Sequence, residues 1–157
     1  MLRKTLILTI FFCFVFLIGC GSSQTAKDVE QVINDAFKAR AEAVFKYQDK
    51  QPLTKYFSPE ALQQSKGLLD WSPKGQWDNV KDLKYSYSIR IENLKISGKQ
   101  ARAEVYETAV VSWDYIDPGR VKGTDFAKED AWANRRHDIV VNQEPDGRWV
   151  IVQDLIQ

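Results

Sequence analysis

Three polar residues sit where the surrounding pattern calls for apolar ones. Glu107 interrupts the alternating run Val105, Ala109, Val111; His137 shares a strand face with Ile139 and Val141; Arg40 falls inside a helical apolar stripe. If all three point inward they form a cavity cluster. One reading is acid–base chemistry, with burial raising the Glu107 carboxyl so that it shuttles a proton and His137 acts as its partner. The other is structural: Arg40 and Glu107 as a buried, hydrogen-bonded pair with His137 satisfied in the core, because an unpaired buried charge costs several kcal/mol. The structural reading is the simpler of the two.

Other chemistries find little support. His137 is the sole histidine, so a metal site would have to be carboxylate-rich, and no ligand spacing for one is present. No serine sits in a G-x-S-x-G turn, and there is no G-x-G-x-x-G or phosphate loop; Gly98-Lys99 alone reads as a turn. No cofactor is expected. Four aromatics offer a stacking platform for a sugar or peptide: Trp71 and Trp77 in a loop, and Trp113 with Tyr115 near a strand end. The simpler expectation is that they plug one end of the fold. Asp125, Lys128, Glu129 and Asp130 read as a solvated loop.

The elements that must position these residues follow from periodicity. Val29, Val32, Ile33, Ala36, Phe37, Val44 and Tyr47 recur at three- and four-residue steps, predicting a helix over 27–48. Leu53–Phe57 reads as a helical turn, and Ser58-Pro59-Glu60 as the start of a second helix running to about Leu69. Residues 70–80 form a loop. From Leu83 the period becomes two, with Leu83, Tyr85, Tyr87, Ile89 and Ile91 on one face. Ser97-Gly98-Lys99 turns the chain into a second strand, with Ala101, Ala103, Val105, Glu107, Ala109, Val111, Trp113 and Tyr115 on one face. After a loop over 116–130, a strand at 131–143, an Asp146-Gly147 hairpin and a strand from Trp149 to Leu155 complete the chain.

The chain start carries an address. Arg3 and Lys4 precede a 14-residue apolar run, Thr5 to Ile18, too short to cross a hydrocarbon core of about 30 Å comfortably but suited to a signal peptide. The run ends in Leu17-Ile18-Gly19-Cys20, which resembles the bacterial lipobox. That resemblance implies cleavage between Gly19 and Cys20 and a diacylglycerol thioether on Cys20. Two acyl chains, at about 0.8 kcal/mol per buried methylene, hold where one is marginal. Residues 1–19 are then a signal peptide, 20–26 a lipidated cysteine and flexible tether, and 27–157 the folded domain. Cys13 leaves with the peptide, so the mature chain has no free thiol and no cysteine nucleophile, redox pair or thiolate metal site.

Composition agrees with one domain. Of 157 residues, 44% are hydrophobic and 12% aromatic, enough for a packed core without disulfide or metal. Without residues 1–19 there remain 138 residues with 20 basic and 21 acidic side chains. A body of net charge −1 gives no global field for nucleic acid.

Helices followed by a run of antiparallel strands is an α+β order. It resembles the NTF2-like superfamily, a cystatin-like α+β cone. The segments that carry the likeness are Ala36-Phe37-Lys38-Ala39-Arg40, Leu53-Thr54-Lys55-Tyr56-Phe57, Arg136-His137-Asp138-Ile139-Val140 and Asp146-Gly147-Arg148-Trp149-Val150-Ile151-Val152. The closing hairpin is similar to those of NTF2-like domains in secreted Gram-positive proteins. The resemblance implies a long and a short helix packed on a strongly curved antiparallel sheet, with a cavity between them. Relatives use that cavity for cofactor-free isomerase or dehydratase chemistry, or bind ligands or partners; some dimerise through the sheet face. No enzyme domain is expected after Gln157. The expectation is a lipid-anchored extracytoplasmic binding or accessory module, partnered by the membrane and by an envelope protein or cell-wall ligand. The alternatives are a small cavity enzyme and a structural homodimer.

Overall fold

A computed structural model describes residues 19–73, 75–121 and 127–157, with side chains described from residue 23 onward. The apolar run, Cys13, Leu17-Ile18 and Asp125 lie outside the described residues. Helix α1 spans Gly19–Glu42, continues as a π-helical segment over Ala43–Tyr47, and is followed by a 3-10 turn at Gln51–Lys55. Two short helices, α2 (Pro59–Gln64) and α3 (Lys66–Leu69), precede four strands: β1 (Val80–Ser97), β2 (Gln100–Tyr115), β3 (Glu129–Gln143) and β4 (Trp149–Ile156). The strands form one antiparallel sheet in the order β1-β2-β3-β4. The α+β architecture, helix against a curved sheet, is the one expected.

The helix is built as its stripe dictates. Val29, Ile33, Ala36 and Phe37 are buried against the concave face of the sheet, and Arg40 is buried with them. Two details differ from the expectation. Residues 21–25, expected as a flexible tether, are helical. Tyr47, counted in the stripe, is 60% exposed, because the wider π turn advances the chain out of phase and buries Ala43, Val44 and Phe45 consecutively. The helix expected to run from Ser58 to Leu69 starts as read: Ser58 Oγ accepts from the Ala61 amide at 3.2 Å and Pro59 occupies the first turn. It breaks at Ser65, which separates α2 from α3.

All eight residues assigned to the inner face of β2 are buried. The sheet curls because its strands carry bulges. One-to-one pairing slips in β1 at Asp82 and Asn93 and in β3 at Asn134, and all three residues have positive φ, from 51° to 53°. Asp and Asn tolerate that left-handed conformation better than other L-residues. An extra residue bends its strand, increases the twist and reverses the side-chain alternation beyond it. β4 also shifts register at Val152, where Val140 pairs with Gln153 but Val141 with Ile151. Turns at Gly98 (φ +59°) and Gly147 (φ +89°) sit where the hairpins were expected.

The two edges of the sheet differ. At the β4 edge Phe57 bridges Ile151: the Ile151 amide donates to the Tyr56 carbonyl and the Ser58 amide to the Ile151 carbonyl, both at 2.8 Å. Among the described residues, no backbone hydrogen bond from outside the sheet reaches β1 between Lys84 and Glu92.

Candidate functional site

Arg40, Glu107 and His137 meet beneath α1. Arg40 projects from the inner face of the helix, Glu107 from the middle of β2 and His137 from β3. Three further residues complete the cluster: Tyr87 of β1, Trp132 of β3 and Asp154 of β4. Arg40 Nη1 donates to Asp154 Oδ2 at 2.5 Å, and Nη2 to Glu107 Oε1 at 3.1 Å. The Tyr87 hydroxyl donates to Glu107 Oε1 at 2.6 Å, and the Trp132 indole N–H to Glu107 Oε2 at 3.0 Å. His137 bridges the two acids, with Nδ1 2.7 Å from Asp154 Oδ1 and Nε2 3.4 Å from Glu107 Oε2. The α2 residue Gln64 ties β4 down, its side-chain carbonyl accepting from the Asp154 amide at 2.9 Å.

The environment is dry. Arg40 and Glu107 are 1% exposed, and His137 and Asp154 0%. The Arg40 guanidinium lies 4.1 Å from the Phe37 ring centre, and Phe37 meets the His137 ring edge-on at 5.2 Å. Arg40 Nε has no acceptor among the described residues.

The charges balance. Burial works against the ionised forms of Arg40, Glu107, His137 and Asp154, but their partners outweigh it. For Arg40 the nearby Asp154, Tyr87 and Glu107 raise the guanidinium further still. For Glu107, His137, Arg40 and Tyr87 together bring the carboxyl down from 4.5 to about 2. Arg40 and His137 lower Asp154. Hydrogen bonds to Asp154 and Glu107 raise His137, so the imidazolium is favoured with both ring nitrogens donating. Burial pushes the Tyr87 hydroxyl well above its usual range, so it stays a neutral donor. Two cations thus face two carboxylates.

This corrects one expectation. The acid–base reading requires a Glu107 carboxyl raised by burial, and the structure lowers it, because four donors converge on its two oxygens. A carboxylate at about 2 is a feeble base and carries no proton to give at neutral pH. Neither Glu107, His137 nor Arg40 lines any of the described grooves. The largest of these, about 490 Å³, runs between α1 and β1 and reaches the cluster only at Tyr87.

Sequence reasoning singled out three of the six members. Asp154 was hidden by the Val152 bulge: strict alternation from Trp149 and Ile151 puts Gln153 and Leu155 inward, whereas the bulge turns Asp154 in and leaves Leu155 41% exposed. The Asn134 bulge does the same on β3, bringing even-numbered Trp132 onto the face of His137. Tyr87 was placed on the inner face but not identified as a hydrogen-bond donor. The available signal was a lone acid, Asp154, after the apolar run Val150-Ile151-Val152.

The four aromatics singled out in the sequence pack on one another. Trp71 meets Trp77, Trp113 and Phe45 edge-on at 5.7, 6.1 and 5.2 Å. Trp113 and Tyr115 are each only 4% exposed, so neither presents a ring face for stacking. The Trp71 indole donates to Asp130 at 2.8 Å; Glu129 and Asp130, expected in a loop, are the first residues of β3. Among the described residues no group of three or more His, Cys, Asp or Glu is placed to hold a metal ion.

No protein-family model matches the chain, and no curated protein matches it. Solved structures share its fold, two of them as follows. The intermembrane space region of the chloroplast protein ARC6 is 14% identical with a TM-score of 0.53, covering 83% of this chain and 95% of its own. The Kfla4162 protein from Kribbella flavida is 11% identical with a TM-score of 0.53, covering 83% and 90%. At such identities the likeness concerns the fold alone: an α+β domain with a helix on a curved antiparallel sheet.

Proposed function

We propose that this chain is a lipid-anchored extracytoplasmic module of the NTF2-like class that binds a partner at the cell envelope and performs no chemistry of its own. The observation that supports the non-catalytic reading is the saturation of the Arg40–Glu107–His137–Asp154 cluster. Every candidate acid or base is spent on another member and is at most 1% exposed. An enzyme of this size would keep at least one of these groups reachable by substrate. The anchoring half of the proposal rests on Leu17-Ile18-Gly19-Cys20.

Each half has its test. Labelled palmitate should enter the wild-type chain and not Cys20→Ala; incorporation by the variant would refute lipidation at that residue. For the cluster, the sole histidine makes a clean probe. Diethyl pyrocarbonate should leave His137 unmodified in the folded chain and modify it after denaturation, read by mass. Rapid modification of the folded chain would mean that the centre is reachable and would restore the acid–base alternative.

A further inference from the structure

The free edge of the sheet has a symmetry in its sequence. Between the bulges at Asp82 and Asn93, β1 pairs with β2 one-to-one from Lys84 to Glu92, a nine-residue stretch centred on Ser88. Edge strands usually avoid further pairing by being short, bulged, charged, proline-bearing or covered, and a charged edge admits only a partner whose charges complement it. The β4 edge is covered by Tyr56–Ser58. The Lys84–Glu92 stretch contains no proline and is regular throughout.

We infer that this edge pairs with the same edge of a second copy of the chain, antiparallel about a two-fold axis at Ser88. In that register each residue faces the one whose number brings the pair to the same centre. Lys84 then lies opposite Glu92 of the other copy, and Glu92 opposite Lys84, so two opposite-charge pairs close the ends of the joint. Ser86 faces Arg90 on the same outer side, and Ser88 faces Ser88. On the inner side Tyr85 meets Ile91 and Tyr87 meets Ile89, aromatic against β-branched, among the favourable cross-strand combinations. A shift by two residues would lose the lysine–glutamate match, so charge fixes the register. The open groove of about 490 Å³ between α1 and β1, lined by Lys38, Ala41, Tyr85, Tyr87 and Ile89, leaves room beside the edge for the second copy's inner side chains. The result is one continuous eight-stranded sheet with an isologous interface. This differs from dimerisation through the sheet face and does not depend on whether Cys20 is lipidated.

Cysteine cross-linking in the full chain tests the register. Opposed residues in an antiparallel pair have Cα atoms about 4.5 or 5.5 Å apart, within disulfide reach. Ser88→Cys should therefore give an oxidised dimer, with the parent chain as the control for Cys13 and Cys20. Ser86→Cys should not, because two copies of residue 86 are offset by about 13 Å along the strands. Lys84→Glu or Glu92→Lys alone should weaken self-association about tenfold, since like charges then face each other, and the two together in one chain should restore it. The proposal fails if the Ser88→Cys chain stays monomeric under oxidation, or if Ser86→Cys cross-links as well. Failure of the double charge reversal to recover association overturns it too, as does capture of a different protein at residue 88, which would make the edge a site for a foreign strand.

Discussion

Replacing Arg40 by methionine should lower the unfolding free energy by about 3–5 kcal/mol, the usual cost of removing one partner from a buried ion pair. Methionine fills much the same volume, so the loss is electrostatic rather than a cavity. Glu107 and Asp154 would remain beneath α1 with His137 as their only cation, and one Asp154 oxygen would lose its donor at 2.5 Å. Against a domain stability of about 5–15 kcal/mol the effect is a large fraction of the whole. A fall in Tm of about 10 °C or more is expected, followed by tryptophan fluorescence or circular dichroism. Replacing Arg40, Glu107, His137 and Asp154 together by apolar residues of matched volume should cost much less than the sum of the single changes, because no charge is left stranded. An Arg40→Met loss below about 1 kcal/mol would mean that water reaches the cluster.

The second large effect is a stability maximum between about pH 4.5 and 6.5. Glu107 is held at about 2 in the folded chain against 4.5 as its ordinary value, and Asp154 is lowered from 3.8. Their contribution is present above the unfolded values and disappears as pH falls through the folded ones. For Glu107 alone that limb amounts to about 3 kcal/mol. His137 is raised above 6.5, so its contribution is complete below 6.5 and is lost as pH rises through the folded-state value. Deprotonation leaves two carboxylates facing Arg40 alone. Urea titrations across pH should show both limbs. In His137→Gln the alkaline limb should vanish while the acid limb persists; its survival in that variant would assign the alkaline loss to other groups.

Much of this arrangement could be read before the coordinates, and what could not has a common cause. The β2 face was legible because an unbroken alternation of eight residues leaves one solution that buries Val105, Val111 and Trp113 together, and it takes Glu107 inside with them. Arg40 was legible because three- and four-residue spacing from Ile33 and Phe37 leaves it on the buried stripe. Tyr47, Trp132 and Asp154 were misplaced or missed for one reason: each lies beyond a point where the backbone gains a residue, at the π segment, the Asn134 bulge and the Val152 bulge. Periodic arguments carry a phase, and an inserted residue resets it without leaving an apolar or polar signature. Asn134 has the composition of an ordinary turn former, and Val152 that of an ordinary strand residue. The raised carboxyl expected of Glu107 was reversed for a different reason. Burial alone raises a carboxyl, and only the converging partners reveal the opposite sign.

The bulge at Val152 also means that the path of the backbone, rather than the number of residues in β4, decides what occupies the centre of the domain. Deleting that one valine would bring β4 back to simple alternation with Ile151 and Asp154 both still inward; ironing the bulge flat with the valine retained would instead swing Asp154 toward solvent and carry Leu155 inward against Arg40. A related chain lacking the residue would therefore keep its acid beneath Arg40. Among descendants of a common ancestor, loss of a single codon at this point of the strand would leave the charge of the helix above it free to stay as it is.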